Sequence, residues 1–236
     1  MALNLTSNRD PYQLHLYGRR KGKPLKKNSQ LIFDRDFPTF SITAEEVVTQ
    51  ETTEWFQSEG IKSVWLEIGF GSGENIIELA RRNPKVGFIG IEVFHNGIAA
   101  LLKHRADHNL KNLRVFNGDA RHLLQVLPKN SVENVFILYP DPWPKARHYK
   151  RRLICKETLD NLKDVMKIGF QLHLATDHPT YIEWCLKQIP CHPHFKWRVT
   201  SPKSWTTPAP YTIATRYEKK AMRQGRRPIY LTFDRI

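Results

Sequence analysis

Five carboxylates recur at one phase of the sequence, and they are the residues best placed to do chemistry. Glu67 sits inside VWLEI, Glu92 ends FIGIE, Asp119 follows LRVFNG, Asp141 follows VFILYP and Asp177 follows FQLHLAT. Acids are depleted from strands, so five of them in step with five apolar runs form a constellation rather than a solvated face. Fixed carboxylates can take a ribose diol, hold a cation, or stabilise positive charge that develops on a reacting group.

The stretch around Asp141 is the most constrained. Tyr139-Pro140-Asp141-Pro142-Trp143-Pro144 carries three prolines that fix φ and restrict their neighbours, which suits an acid that must hold one geometry. Lys145, Arg147, His148, Tyr149, Lys150, Arg151 and Arg152 follow at once. Cations at a helix start oppose the helix dipole, and nearby phosphates would offset that penalty. Two more basic segments flank the chain. Gly18–Lys27 packs six cations between glycines and a proline, and Thr215-Arg216-Tyr217-Glu218-Lys219-Lys220 leads to Arg223, Arg226 and Arg227. Glu218 either pairs with a cation on its own helix or reads a base edge.

The first glycine turn, Glu67-Ile68-Gly69-Phe70-Gly71-Ser72-Gly73, lets the backbone approach a ligand closely. A dinucleotide enzyme would show G-x-G-x-x-G, whereas here Glu74 occupies the third glycine's place. A carboxylate there disfavours pyrophosphate. Glu92, nineteen residues after Gly73, is placed to take a ribose diol. Acid-rich walls suit a sulfonium cation, and the inferred cofactor is S-adenosylmethionine.

The elements that must position these residues follow from periodicity. Strands are predicted at 64–68, 88–92, 113–116, 135–139 and 170–175. Helices are predicted at about 74–82, 95–108, 119–127, 150–167 and 179–188, with a helix start at Thr43-Ala44-Glu45-Glu46 continuing to about 58. Such alternation predicts βαβ units and a parallel sheet covered on both faces. Two later runs, 195–199 and 229–233, have no clear helix between them and are expected to pair as an antiparallel edge. The expected fold class is α/β, Rossmann-like, with a mostly parallel seven-stranded sheet. Residues 1–40 are expected to be an irregular, basic arm that either is merely solvated or contacts phosphate, and residues 41–236 the catalytic domain.

Composition narrows the partners. Thirty-seven Lys+Arg against 23 Asp+Glu give a formal charge of +14 over 236 residues, which draws polyanions and points to nucleic acid. Cys155, Cys185 and Cys191 form no CxxC pattern, and with His192 and His194 match no common zinc spacing. The N-terminus lacks a secretory pattern and no apolar run approaches membrane-spanning length. A cytoplasmic protein with no membrane association, no metal and no obligatory protein partner is expected.

With these motifs in hand, the chain resembles the bacterial tRNA (guanine-N7-)-methyltransferases. The resemblance rests on EIGFGSG, GIEV, NLRV leading to Asp119-Ala120, PDPWPKARH, Ala175-Thr176-Asp177 and Thr215-Arg216-Tyr217-Glu218, in family order over about 60–236. It implies transfer of a methyl group from S-adenosylmethionine to guanine N7 in the variable loop of tRNA, at position 46. By position, Glu67, Gly69, Gly71, Gly73, Glu92, Asp119 and Asp141 match cofactor-side residues, and Asp141 the proposed catalytic residue. Lys145, Asp177, Thr215, Arg216, Tyr217 and Glu218 match substrate contacts, and Arg147–Arg152 an RNA-binding segment. Two alternatives stand beside it. An adenine amino-group methyltransferase would carry [DN]-P-P-[YFW], which Trp143 interrupts here. A non-catalytic RNA-binding protein would have lost strand-end acids, yet all five are present.

Overall fold

Apolar β-branched runs decide the sheet. In the computed structural model, which describes residues 20–50, 52–56, 58, 60–209 and 212–236, seven strands form: β1 Ser63–Ile68, β2 Val86–Glu92, β3 Leu113–Asn117, β4 Val135–Leu138, β5 Gln171–Thr176, β6 Phe195–Trp197 and β7 Ile229–Arg235. Their order is β3-β2-β1-β4-β5-β7-β6. The first five run parallel, while β7 lies antiparallel between β5 and β6. The strand order reverses between β1 and β4, so ligands are expected beyond the carboxyl ends of those two strands.

Helices α3 Glu74–Arg82, α4 His95–Asp107, α5 Ala120–Val126, α6 Lys156–Val165 and α7 Pro179–Gln188 alternate with the strands. α8 Lys203–Thr206 and α9 Arg216–Arg223 precede β7. Two apolar clusters, one holding Leu66, Ile89, Leu172 and Phe233 and the other Trp65, Ile76, Leu101 and Phe136, cover the sheet. Among the described residues no helix is long and apolar enough to cross a membrane. Cys185 is buried in the core, and His192 Nε2 lies 3.1 Å from Asp160 Oδ1.

Three expectations are corrected. Residues 27–40, read as irregular, form helix α1 Lys27–Phe40. Phe33 and Phe40 are buried, Phe33 packing on His95 at 4.1 Å and Phe40 lying 3.9 Å beneath the Arg105 guanidinium. Pro38 and the scattered charges hid this apolar stripe. Residues 20–23 are fastened to α4: Arg20 accepts from His95 N–H, Gly22 N–H donates to Asn96 Oδ1, and Asn96 Nδ2 donates to the Lys23 carbonyl at 2.8 Å. Gly18, Arg19 and everything before them lie outside the described residues.

The helix expected to about residue 58 is shorter. α2 Ala44–Thr49, with its Thr43–Glu46 capping box, gives way to a 3-10 turn at Thr52–Trp55. The helix expected from Lys150 begins only at Lys156. The basic run forms a separate 3-10 turn, Ala146–Arg151, so its cations do not oppose a helix dipole. Phosphate need not be invoked to offset such a penalty.

Candidate active site

β1 ends at Ile68, and the chain must turn at once into α3. Gly69, Gly71 and Gly73 take φ of 76°, 61° and 80°, left-handed values that glycine adopts without steric cost. Behind the turn, Gly97 of α4 packs so tightly that a Cβ there would collide with the Gly71 carbonyl oxygen. In front, the Tyr217 ring lies 3.3 Å from where a Cβ on Gly71 would sit.

Glu92 fastens this turn to the end of β2. The Gly71 N–H donates to Glu92 Oε2 at 2.8 Å, while the N–H groups of Val93 and Phe94 donate to Oε1 at 2.7 and 3.0 Å. Burial raises the Glu92 carboxyl; the three N–H groups offset part of the rise, and the charge of Asp141 adds to it. Glu67 is more perturbed. Buried in β1 with Asn75 Nδ2 donating at 2.9 Å, it is pushed up to about 8 by burial, with Glu92 and Glu74 adding repulsion.

Asp119 caps α5, accepting from the Arg121 N–H at 3.0 Å, and the Arg121 guanidinium reaches its other oxygen at 2.6 Å. Burial alone would raise this carboxyl, but Arg121 wins and holds it below the ordinary value. Asp141 follows β4 through a strained loop: Tyr139 and Trp143 have φ of 53° and 42°, unusual for residues with bulky side chains. Its carboxyl is exposed toward the cleft, and the protein walls around it raise its pKa through desolvation.

These elements enclose a cavity of about 430 Å³ lined by Gly69, Gly71, Glu92, Asp119, Asp141 and Tyr217, among others. Its size is that of a small-molecule site. Glu67, Thr215 and Tyr217 line a narrow adjoining recess. Gly73 stands back from the cavity, packed against Leu101, so its part is to shape the turn.

The donor set fits a cationic nucleoside. Glu67 and Glu92 are both raised, with no cation among the described residues bonded to them, so an incoming positive charge would favour their ionised forms. That is the chemistry of a sulfonium, and S-adenosylmethionine fits it.

Residues 61–231 match the family model described as a putative methyltransferase. The tRNA (guanine-N(7)-)-methyltransferase of Roseobacter denitrificans is 44% identical over 224 residues, spanning 94% of this chain and 96% of the relative. The enzyme of the same name from Bartonella henselae is 42% identical over 219 residues, spanning 92% and 94%. The chain belongs to the tRNA (guanine-N7-)-methyltransferase family.

Solved structures extend the likeness of fold. An rRNA methylase from Streptococcus thermophilus superposes with a TM-score of 0.52 at 11% identity, covering 75% of this chain and 88% of that one. An antibiotic related methyltransferase gives 0.54 at 18%, covering 83% and 96%. The Rossmann-like methyltransferase architecture expected for the chain is the one observed.

In this family member the expected substrate residues divide. α9 is docked on the glycine turn through Glu74, which accepts from the Arg216 N–H at 2.8 Å and from Arg216 Nε at 3.0 Å. Thr215 caps α9, its hydroxyl accepting from Glu218 N–H at 3.3 Å. Glu218 is buried and accepts from the Tyr139 hydroxyl at 3.0 Å, and it forms no ion pair with the described cations of its own helix, the pairing considered from sequence. Asp177 is held by Arg226 Nε at 2.5 Å. Lys145, Arg147 and Lys150 are exposed, and His148 and Tyr149 are half-buried beside Trp143 and Trp184.

Arg152, expected on RNA, is 3% exposed and donates to the Pro142 carbonyl. Sequence reasoning also passed over Tyr139, Asn75, Arg121 and Arg226. Tyr139 had a signal, its place in the rigid YPDPWP loop. Arg121 lies two residues from Asp119, a local signal, whereas Arg226 reaches Asp177 across 49 residues of chain.

Proposed function

We propose that this protein methylates N7 of a guanine in the variable loop of tRNA, position 46, with S-adenosylmethionine as donor. One observation carries this reading: the raised carboxyls of Glu92 and Asp141 line one cavity, with the raised Glu67 in the recess that adjoins it, beside an exposed cationic turn. When bound, S-adenosylmethionine supplies an electrophilic methyl group on a sulfonium.

Guanine N7 carries a free lone pair at neutral pH, so no base is needed to bare it. The residues therefore have to align the ring and meet the charge it acquires. Alignment alone can supply several kcal/mol of a barrier. Asp141, on a proline-stiffened loop, offers a fixed negative charge to the guanine as it becomes cationic. Glu92 takes the ribose diol with the lone pairs its N–H partners leave, and the glycine turn admits the ligand's close approach. Asp177, once Arg226 yields it, or Glu218 accepts from guanine's N1–H and amino group, a pattern adenine does not offer. Thr215, Arg216 and Tyr217 place α9 over the turn, where Tyr217 closes one side of the site. Lys145, Arg147, His148, Tyr149, Lys150 and Arg151 meet the tRNA backbone, joined by Arg20, Lys21 and Lys23 of the basic segment fastened to α4. We place the enzyme in the cytoplasm, acting without an obligatory protein partner.

The test is incubation with methyl-labelled S-adenosylmethionine and unmodified tRNA, followed by chain scission specific for 7-methylguanosine. Label and scission at the same variable-loop guanine are expected. Label at an adenine, or none on RNA, overturns the proposal.

A further inference from the structure

Two adjacent arginines end the basic turn, and they face different ways. Arg151 lies over the Trp143 ring at 4.9 Å and remains partly accessible. Arg152 is enclosed. Its guanidinium is sandwiched among Tyr149, Trp184 and Tyr181, at 3.9, 4.8 and 5.6 Å from their ring centres. Nε donates to the Pro142 carbonyl at 2.9 Å, and Nη2 to the Trp143 carbonyl at 3.4 Å and to Thr180 Oγ1 at 3.3 Å.

Those two carbonyls belong to the peptide planes on either side of the Trp143 Cα. Trp143 has φ of 42° and precedes a proline, a conformation that a bulky side chain disfavours and that survives only when its surroundings over-determine it. One planar guanidinium bonded to both flanking peptides sets the rotation between them. A lysine ammonium has no such fork. The peptide held by the first of these bonds begins at Pro142, the residue after Asp141.

We infer that Arg152 is a positioning residue for catalysis: it clamps the Pro142-Trp143-Pro144 backbone and so fixes Asp141, and it makes no contact with RNA. The inference rests on the methyl-transfer reading for the role of Asp141, and on geometry alone for the absence of a phosphate contact.

The two parts separate experimentally. Each phosphate contact adds about 0.7–0.9 to the slope of log affinity against log salt, depending on whether the strand is single or double. Arg152→Lys retains the charge, so Arg152→Gln is the variant to titrate, beside Arg147→Gln as the exposed comparator. tRNA affinity is measured across a salt series, and methyl transfer at saturating tRNA and S-adenosylmethionine. For Arg152→Gln and Arg152→Lys alike, kcat is expected to fall at least tenfold with KM for tRNA within twofold of wild type. The salt slope of Arg152→Gln is expected to stay at the wild-type value, while that of Arg147→Gln falls by nearly one. Thr180→Val, which removes a single anchor from a side chain outside the basic turn, is expected to lower kcat severalfold and covers the case in which the arginine variants fail to fold. A salt slope lowered by nearly one in Arg152→Gln overturns the inference, as does an unchanged kcat in Arg152→Lys or, should neither arginine variant fold, in Thr180→Val. Wild-type protein inactive on tRNA guanine would refute the functional reading instead, and would leave the salt-slope comparison standing.

Discussion

Glu67 is a carboxyl held at a cost, and Glu67→Gln measures that cost. Its ordinary value of 4.5 is raised to about 8 in the fold. Between those values the folded chain holds a proton that the unfolded chain has lost, so the Glu67 contribution makes stability fall as pH rises from about 4.5 through 8. At 1.36 kcal/mol per pH unit the cost is near 1 kcal/mol at pH 5 and about 3 kcal/mol at pH 7, a difference of roughly 2 kcal/mol. Glutamine keeps a carbonyl oxygen for Asn75 and abolishes the titration. Urea unfolding of ligand-free wild type and variant at pH 5, 6 and 7 therefore has a defined expectation: the variant's stability relative to wild type improves by roughly 2 kcal/mol across the series. S-adenosylmethionine should bind the variant more weakly at pH 7.5, and the pH dependence of wild-type affinity, rising toward pH 8 as Glu67 ionises, should flatten. A stability difference that does not change with pH refutes the assignment of a raised Glu67, and equal affinity refutes its role toward the cation.

Two further perturbations probe the site's supports. Gly97→Ala should push the Gly71 carbonyl out of place, so S-adenosylmethionine binding measured by calorimetry should weaken at least tenfold while far-ultraviolet circular dichroism is retained. Tyr139→Phe withdraws a donor from the buried Glu218 and should lower unfolding free energy by about 1–3 kcal/mol in denaturant titrations, with discrimination against adenine weakened.

Much of the sheet was legible because a buried parallel sheet writes itself as apolar runs of regular spacing. The strand-end acids were legible for the same reason: Glu92, Asp119 and Asp141 break those runs at one phase, and the structure gathers them at one cavity. What stayed hidden depends on contacts between distant segments. Nothing in KARHYKRR distinguishes Arg151 from Arg152, yet Tyr181, Trp184 and Thr180 of α7 enclose the second. α1 was hidden by Pro38 and by charges that interrupt its apolar face, and became a helix because Phe33 and Phe40 find α4 to pack against. Glu74 read as an obstacle to pyrophosphate, which it remains, but its partner Arg216 lies 142 residues away.

The central claim is that transfer depends on the fixed negative charge of Asp141, and Asp141→Asn tests it most directly, since it keeps shape and removes charge. Single-turnover methyl transfer to tRNA should fall by about 100-fold or more, the scale of losing one preorganised electrostatic partner. tRNA affinity should stay within twofold. Because desolvation by the cleft walls raises the Asp141 carboxyl, the wild-type rate should fall as pH drops through that raised value, and the residual rate of the variant should lack this limb. A variant that transfers methyl groups within threefold of wild type would contradict the claim.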